Sequence, residues 1–228
     1  MPLFSRRRVY DRKRLLDQAS KLESGWRWRR ALSLYRQVLA AEPYDPELHA
    51  RVAPLLARSR RHYEARESYR IAQSEFKRTG KTDRVDQMIT GASEALPLDP
   101  DVARQRARFE RAKNRAGDAM RHLVETSDRL ARKRRGEAII LLREANAIGP
   151  RHPQVLIRLS RLLFRDGQAA EALFWLEQLE GRVGGAELVD VVRLRFRIDP
   201  TFGNLWAWMR CRSDCRGRSD RRHKIRIA

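Results

Sequence analysis

Cysteine is scarce in this chain, and so are aromatic residues and long apolar runs. Only two cysteines occur in 228 residues, and aromatic residues make up 7% of the sequence. So few cysteines give no disulfide framework, which indicates a reducing compartment. No window approaches the roughly 18 uninterrupted apolar residues of a membrane span, and arginines interrupt residues 1–16, so a secretory signal is not expected. These absences predict a cytoplasmic protein.

The sequence also lacks the motifs that carry catalysis. Its five histidines are scattered, and it contains no glycine-rich phosphate loop, paired-acid motif or nucleophile elbow. Cys211 and Cys215 lie four residues apart with His223 beyond them, but zinc sites usually combine two close pairs of ligands. We interpret the two thiols as incidental. The sequence therefore predicts no enzyme, no metal site, no cofactor and no small-molecule substrate.

Positive charge is abundant, and most of the excess lies at the two ends. The net charge is +21. Residues 1–30 hold ten Lys/Arg against three Asp/Glu, and residues 210–228 hold eight against two. Arginine outnumbers lysine 43 to 7, which indicates either selection for guanidinium chemistry or, the explanation we favour, a GC-rich and bacterial genome. This distribution of charge predicts two basic arms, one at each end, and a mildly basic body between them.

The body has the spacing of paired antiparallel helices. Residues 153–179 show this most completely, with helical apolar spacing on both sides of Gly167 and small residues, Ser160 and Ala172, where two helices would approach closely. A second match runs from Val52 to Ala72. These residues resemble the tetratricopeptide repeat family, whose helix–turn–helix unit of about 34 residues carries small and large side chains at such offsets.

A longer period also runs through the middle of the chain. Pro46, Pro100 and Pro153 each occupy a first-turn position of a helix, and they lie 54 and then 53 residues apart. We interpret this as a three-helix super-repeat in which long helices at 62–79 and 118–134 contact partners on both sides. The predicted helices are 12–24, 27–41, 46–59, 62–79, 83–96, 101–115, 118–134, 137–148, 153–166, 169–180, 186–198 and 202–210.

The predicted fold is therefore all-α, a right-handed solenoid of antiparallel helix hairpins with about twelve helices. Residues 1–11 form a basic N-terminal arm, residues 12–210 the solenoid, and residues 211–228 a basic tail expected to be disordered when free. Equivalent packing positions in the repeats predict buried side chains at Tyr69, Leu123, Leu142 and Leu176.

The resemblance implies a binding groove. In tetratricopeptide proteins the first helix of each pair lines the concave surface, and counting from the three prolines projects a set of mostly basic side chains into it. The predicted groove residues are Arg58, Arg104, Arg108, Arg111, Ile157, Arg161, Phe164 and Arg165. Arginine forks suit carboxylates and phosphates, so we predict a scaffold or adaptor that binds an acidic peptide or helix of another protein.

The rival hypothesis uses the arms to bind nucleic acid or an anionic membrane. Its candidate contacts are Arg6, Arg7, Arg8, Trp206, Trp208, Arg221 and Arg222, although the aromatic cluster at Trp206 also suits a helix that caps the last exposed face of a solenoid. Basic arms bind such anionic partners with an affinity that falls as salt rises and does not depend on nucleic-acid sequence. The body offers no evident aromatic–basic platform for stacking bases, which favours the protein partner.

Overall fold

The computed structural model describes residues 10–179 and 181–225, with side chains described as far as Ser213. Every regular element within these residues is an α-helix. The chain forms two compact units, Met1–Val102 and Ala103–Ala228, called here the N-terminal unit and the C-terminal unit.

The helices of the N-terminal unit are α1 (Arg12–Ser24), α2 (Trp28–Ala41), α3 (Pro46–Arg58), α4 (His62–Arg78) and α5 (Thr82–Ala95). Helix α6 (Pro100–Ala112) begins in this unit and continues into the next. The helices of the C-terminal unit are α7 (Ala116–Leu130), α8 (Arg135–Ile148), α9 (Pro153–Arg165), α10 (Ala169–Glu177), α11 (Gly185–Ile198) and α12 (Phe202–Ile225). The predicted all-α class and the twelve helices are confirmed in the described part of the chain.

Local chemistry explains where several helices begin. The side chain of Asp45 accepts hydrogen bonds from the backbone N–H groups of Glu47 and Leu48, and Pro46 follows it in the first turn. Asp99 plays the same part for α6, with its Oδ1 2.9 Å from the amide nitrogen of Asp101. Such caps satisfy N–H groups that have no partner inside the helix. The three predicted proline starts are therefore helix starts in the structure.

Adjacent helices pack as antiparallel hairpins. The most extensive contacts join α3 to α4, α7 to α8, α1 to α2 and α9 to α10, and α4 also packs on α5 and α11 on α12. Alternate helices also touch, since α3 contacts α5 and α9 contacts α11, and alternate helices begin about 34 residues apart. This is the arrangement of tetratricopeptide-type hairpins.

The prediction for the long helices is confirmed for α4 and, for α7, in its length and in its contact with α8. Helix α4 has 17 residues against 13 for α3 and 14 for α5, and it contacts both of them. Helix α7 has 15 residues, one more than α8, which it contacts. However, consecutive proline starts lie three helices apart, and three helices make one and a half hairpins. Helices α3 and α9 are therefore first helices of their hairpins, whereas counting on from them makes α6 a second helix.

Each unit has its own hydrophobic core. In the N-terminal unit Tyr35, Val38 and Ala65 are fully buried among neighbouring helices, and in the C-terminal unit Leu142, Leu159 and Leu163 are fully buried. The four predicted core residues are confirmed: Tyr69, Leu123, Leu142 and Leu176 are all buried.

The last helix is longer than the sequence predicted. The helix expected over 202–210 continues to Ile225. Residues 211–225 contain no proline and are rich in arginine, a residue with high helix propensity. A polar composition alone therefore gives no reason for the helix to stop at Arg210.

Candidate functional site

Three alternate helices of the C-terminal unit line one open cavity of about 540 Å³, called here the α9 groove. Helix α9 forms its floor, α7 with the turn after it forms one wall, and the start of α11 forms the other. The lining side chains are Asp128, Ala131, Arg132, Gln154, Ile157, Arg158, Arg161, Leu162, Arg165, Ala186, Glu187 and Asp190.

Helix α9 is amphipathic, and this directs its side chains into the groove. Leu156, Leu159 and Leu163 are fully buried against the core. Ile157, Arg161 and Arg165 follow one another at intervals of four residues, so they share the opposite face. Ile157 is only 6% exposed, and that small apolar surface forms part of the groove floor; the two arginine side chains are exposed beside it.

The charges of the groove are divided between its two walls. Arg158 is held by Asp128, with 3.2 Å between Nε and Oδ2. Within the described part of the chain, Arg132, Arg161 and Arg165 make no ion pair, although most arginines around them do. Glu187 and Asp190 lie on the α11 wall. The α7–α9 side of the groove is therefore positive and the α11 side is negative.

The structure brings together only some of the predicted groove residues. Ile157, Arg161 and Arg165 line the α9 groove. Phe164 does not line it, because its ring is partly buried against the core of the C-terminal unit. Its place on α9 lies one residue before Arg165, which turns it toward the packed side of the helix.

The arginines of α6 also lie outside the α9 groove. Arg104 is half-buried and bonds Glu144 of α8, with 2.8 Å between Nε and Oε1. Arg108 and Arg111 are exposed on α6 and do not line the α9 groove. Their projection into the groove rested on treating α6 as the first helix of a hairpin, and the hairpin count makes it a second helix.

A second cavity, of about 700 Å³, opens in the N-terminal unit between two hairpin turns and is called here the Trp26 pocket. The turn from α1 to α2 supplies one side, and the turn from α3 to α4 supplies the other. The lining residues are Trp26, Arg27, Trp28, Arg29, Arg30, Arg58, Ser59 and Arg60. Five arginines and no carboxylate line this cavity.

The two tryptophans and Arg58 form an ordered group in the Trp26 pocket. The rings of Trp26 and Trp28 lie 5.3 Å apart between centroids. The guanidinium carbon of Arg58 lies 5.2 Å from the centroid of Trp28, a cation–π distance. Trp28 is half-buried beneath this contact, whereas the side chain of Trp26 is 76% exposed. The predicted groove residue Arg58 therefore belongs to this pocket.

The pocket also contains two backbone conformations that glycine usually adopts. Trp26 and Arg60 both have φ of +59°, and each is followed by an amide that bonds the carbonyl five residues before it, Leu22 or Leu56. Gly167 has the same place in the hairpin of α9 and α10, with φ of +83°. Large side chains at positive φ are strained, and such strain concentrates at functional sites.

Sequence reasoning missed the Trp26 pocket. The sequence predicts no aromatic–basic platform in the body, although tryptophan and arginine alternate within Trp26–Arg30. The spacing of this segment indicates only the start of a helix. Only the fold shows that Arg58 and Arg60, one repeat further along, face the same cavity.

The candidate contacts in the arms are only partly described. Arg6, Arg7 and Arg8 lie outside the described residues, as do the side chains of Arg221 and Arg222. Trp208 stacks on Phe196 of α11 with 6.0 Å between centroids, and Trp206 is 58% exposed. The ring of Trp208 thus covers α11, as expected of a capping helix.

Burial is the main cause of the pKa shifts of three described residues, Tyr35, Tyr69 and His122. Burial, and then the hydrogen bond to Glu23, raises the pKa of Tyr35. Burial raises the pKa of Tyr69 to about 12. Burial, and then the charge of Arg106, lowers the pKa of His122. None of these three residues lines the α9 groove or the Trp26 pocket.

Two further classes of site are absent from the described residues. None of their helices combines the length and the apolar character needed to cross a bilayer. They contain no cluster of three or more His, Cys, Asp or Glu side chains placed to hold a metal ion.

Comparison with known proteins finds only distant likeness in fold. No protein-family model and no curated protein matches the sequence. The solved structure of PilW, a type IV pilus biogenesis factor, is similar with 14% identity and a TM-score of 0.34, covering 91% of this chain and 94% of that one.

Two other solved structures are similar at the same level. A tetratricopeptide repeat protein from Parabacteroides merdae ATCC 43184 has 14% identity and a TM-score of 0.33, covering 90% of this chain and 92% of that one. The Rap conjugation gene regulator of plasmid pLS20, in complex with the Phr* peptide, has 17% identity and a TM-score of 0.36, covering 83% of this chain and 59% of that one. Likenesses this distant assign no function to the chain.

Proposed function

We propose that the chain is a cytoplasmic scaffold or adaptor that binds a segment of another protein in the α9 groove. The observation that carries the proposal is a groove lined by alternate helices, with an apolar floor at Ile157 and guanidinium groups at Arg132, Arg161 and Arg165 that have no carboxylate partner in the described chain. Unpaired guanidinium groups favour carboxylates from outside, which they bind with two parallel hydrogen bonds.

The charge division specifies the partner segment further. Acidic side chains of the segment would lie against the α7–α9 wall, and an apolar side chain would contact Ile157. A basic side chain would suit Glu187 and Asp190 on the other wall. A rigid, preformed groove loses little conformational entropy on binding, which favours recognition of an extended segment. The expected partner is therefore acidic on one side and not uniformly acidic.

Charge reversal at the groove tests the proposal. Peptides that bind the wild-type chain are first selected from a displayed library of short random sequences, and they should be enriched in Asp and Glu. The double variant Arg132→Glu/Arg161→Glu should then bind the selected peptides at least about a hundredfold more weakly, because like charges facing each other at an interface cost several kcal/mol. Fluorescence anisotropy of a labelled selected peptide measures the change.

Helix α6 provides the matched control. Arg108→Glu/Arg111→Glu makes the same change of charge on two exposed arginines outside the α9 groove, and we expect the affinity to fall less than about threefold. If the α6 pair abolishes binding and the groove pair does not, the α9 groove is not the site. If both pairs abolish it, the sequence-based register, which places both sets of arginines in one groove, is right. Circular dichroism of both variants should match that of the wild type.

A further inference from the structure

The Trp26 pocket has features that the proposed protein partner does not use. It lies in the N-terminal unit, and it is lined by five arginines without a carboxylate among them. Within the described chain none of these five makes an ion pair, whereas nearby Arg36, Arg51 and Arg61 are each paired with a glutamate. The cavity thus concentrates positive charge that nothing in its own walls neutralises.

Its aromatic surface is as unusual as its charge. The ring of Trp26 is exposed beside the cavity although a positive φ at this position would suit glycine better. The tilted ring of Trp28 and the guanidinium group of Arg58 lie behind it. A flat ligand that is also anionic would contact both the ring and the arginines.

We infer that the Trp26 pocket binds a nucleotide of a single-stranded nucleic acid, with the base stacked on Trp26 and its phosphates among Arg27, Arg58 and Arg60. Base–aromatic stacking combined with a basic track for the backbone is how single strands are bound without reading sequence. The first turn of α2 adds to this, since it contains no acidic residue and its N-cap makes no side-chain hydrogen bond.

Other anionic partners fit the pocket less well. A carboxylate peptide would satisfy the arginines but would leave the exposed Trp26 ring without a flat partner. A lipid surface is bound by aromatic side chains that project from the protein. Only Trp26 projects here, because Trp28 is half-buried under Arg58 in a recess of about 700 Å³. A duplex keeps its bases stacked inside and presents no free base face to the pocket.

Glycine substitutions test the inference without damage to the fold. Trp26→Gly and Arg60→Gly remove the side chain while relieving a positive φ, so their thermal midpoints should equal or exceed that of the wild type. Arg151→Gly is the matched control, because Arg151 is also an exposed arginine at positive φ, of +63°, and lies in the other unit. It loses the same charge and the same strain away from the pocket.

Affinity for a fluorescein-labelled single-stranded oligothymidylate, followed by anisotropy over a range of salt concentrations, gives the readout. Trp26→Gly should weaken binding about tenfold or more through lost stacking. Arg60→Gly should also lower the slope of log K against log salt concentration by about 0.7, the contribution of one phosphate contact on a single strand. Arg151→Gly should change neither quantity.

Three results would overturn the inference. One is wild-type affinity in Trp26→Gly, which would assign binding to the basic arms. Another is an equal loss in Arg60→Gly and Arg151→Gly, which would mean that only the total charge matters. The third is binding that depends on Trp26 for vesicles of phosphatidylglycerol but not for the oligonucleotide, which would make the pocket a membrane contact.

Discussion

Leu176→Ala is expected to lower the free energy of unfolding by about 2–5 kcal/mol, the cost of deleting a well-packed leucine side chain and leaving a cavity. Leu176 is fully buried in the core of the C-terminal unit. It belongs to α10, which has only nine residues and so depends on this packing for its place. Urea denaturation followed by circular dichroism measures the change.

The same helix contains the control for this prediction. Phe174 of α10 is about half exposed, and Phe174→Ala should lower the free energy of unfolding by less than about 1 kcal/mol. If Leu176→Ala cost no more than about 0.5 kcal/mol, Leu176 would not be packed as the structure has it, and the repeat register derived from it would be wrong.

Arg106→Leu is expected to cost about 3–5 kcal/mol of stability, because it leaves a buried carboxylate without its closest partner. Glu110 is 3% exposed, and its Oε1 lies 2.9 Å from Nε of Arg106. Arg115 is a second cation near this carboxylate, with 3.8 Å between its Nη1 and Oε2 of Glu110. That residual attraction places the expected loss at the lower end of the range.

A double variant separates the lost ion pair from lost packing. Arg106→Leu/Glu110→Leu should recover to within about 1 kcal/mol of the wild type, since buried pairs replaced by apolar residues are often neutral or stabilising. The exposed pair of Arg121 and Asp118 on α7 gives the comparison, and Arg121→Leu should cost less than about 1 kcal/mol. A double variant as unstable as Arg106→Leu would show that the carboxylate is not the cause.

Much of the architecture could be predicted because its signals are local. Apolar residues at helical spacing mark the helices one by one. Pro46, Pro100 and Pro153 begin three of them as expected, and an aspartate precedes the first two of these prolines. Burial of Tyr69 and Leu176 followed from the same spacing. The continuation of α12 beyond Arg210 did not follow, because no proline interrupts the arginine-rich segment after it and its polar composition alone does not indicate a helix.

These signals could not predict which helix is the first and which is the second of each hairpin. A proline marks the start of a helix equally well whether that helix is the first or the second of its pair. Three prolines spaced by one and a half hairpins therefore made α6 look equivalent to α3 and α9. This is why Arg104, bonded to Glu144 on α8, was expected in a groove while Arg132, on the wall of the α9 groove, was not.

The Trp26 pocket could not be predicted from the sequence for a related reason. A positive φ is expected at glycine or asparagine, and nothing in the sequence marks Trp26 or Arg60 as turn residues with that conformation. Their equivalence to Gly167 becomes visible only when the hydrogen bonds of the turns are compared. The pocket is built by two repeats that lie side by side, so neither repeat alone reveals it.

The central claim is that the α9 groove, and not α6, binds the partner segment. A photo-crosslinking amino acid placed at residue 161 or at residue 108 tests this directly with a peptide selected by the wild-type chain. Both positions are exposed arginines on helices of 13 residues, so reactivity in the free protein is matched. We predict crosslinking to the peptide from residue 161 and none above background from residue 108. Crosslinking from residue 108 without crosslinking from residue 161 would contradict the account.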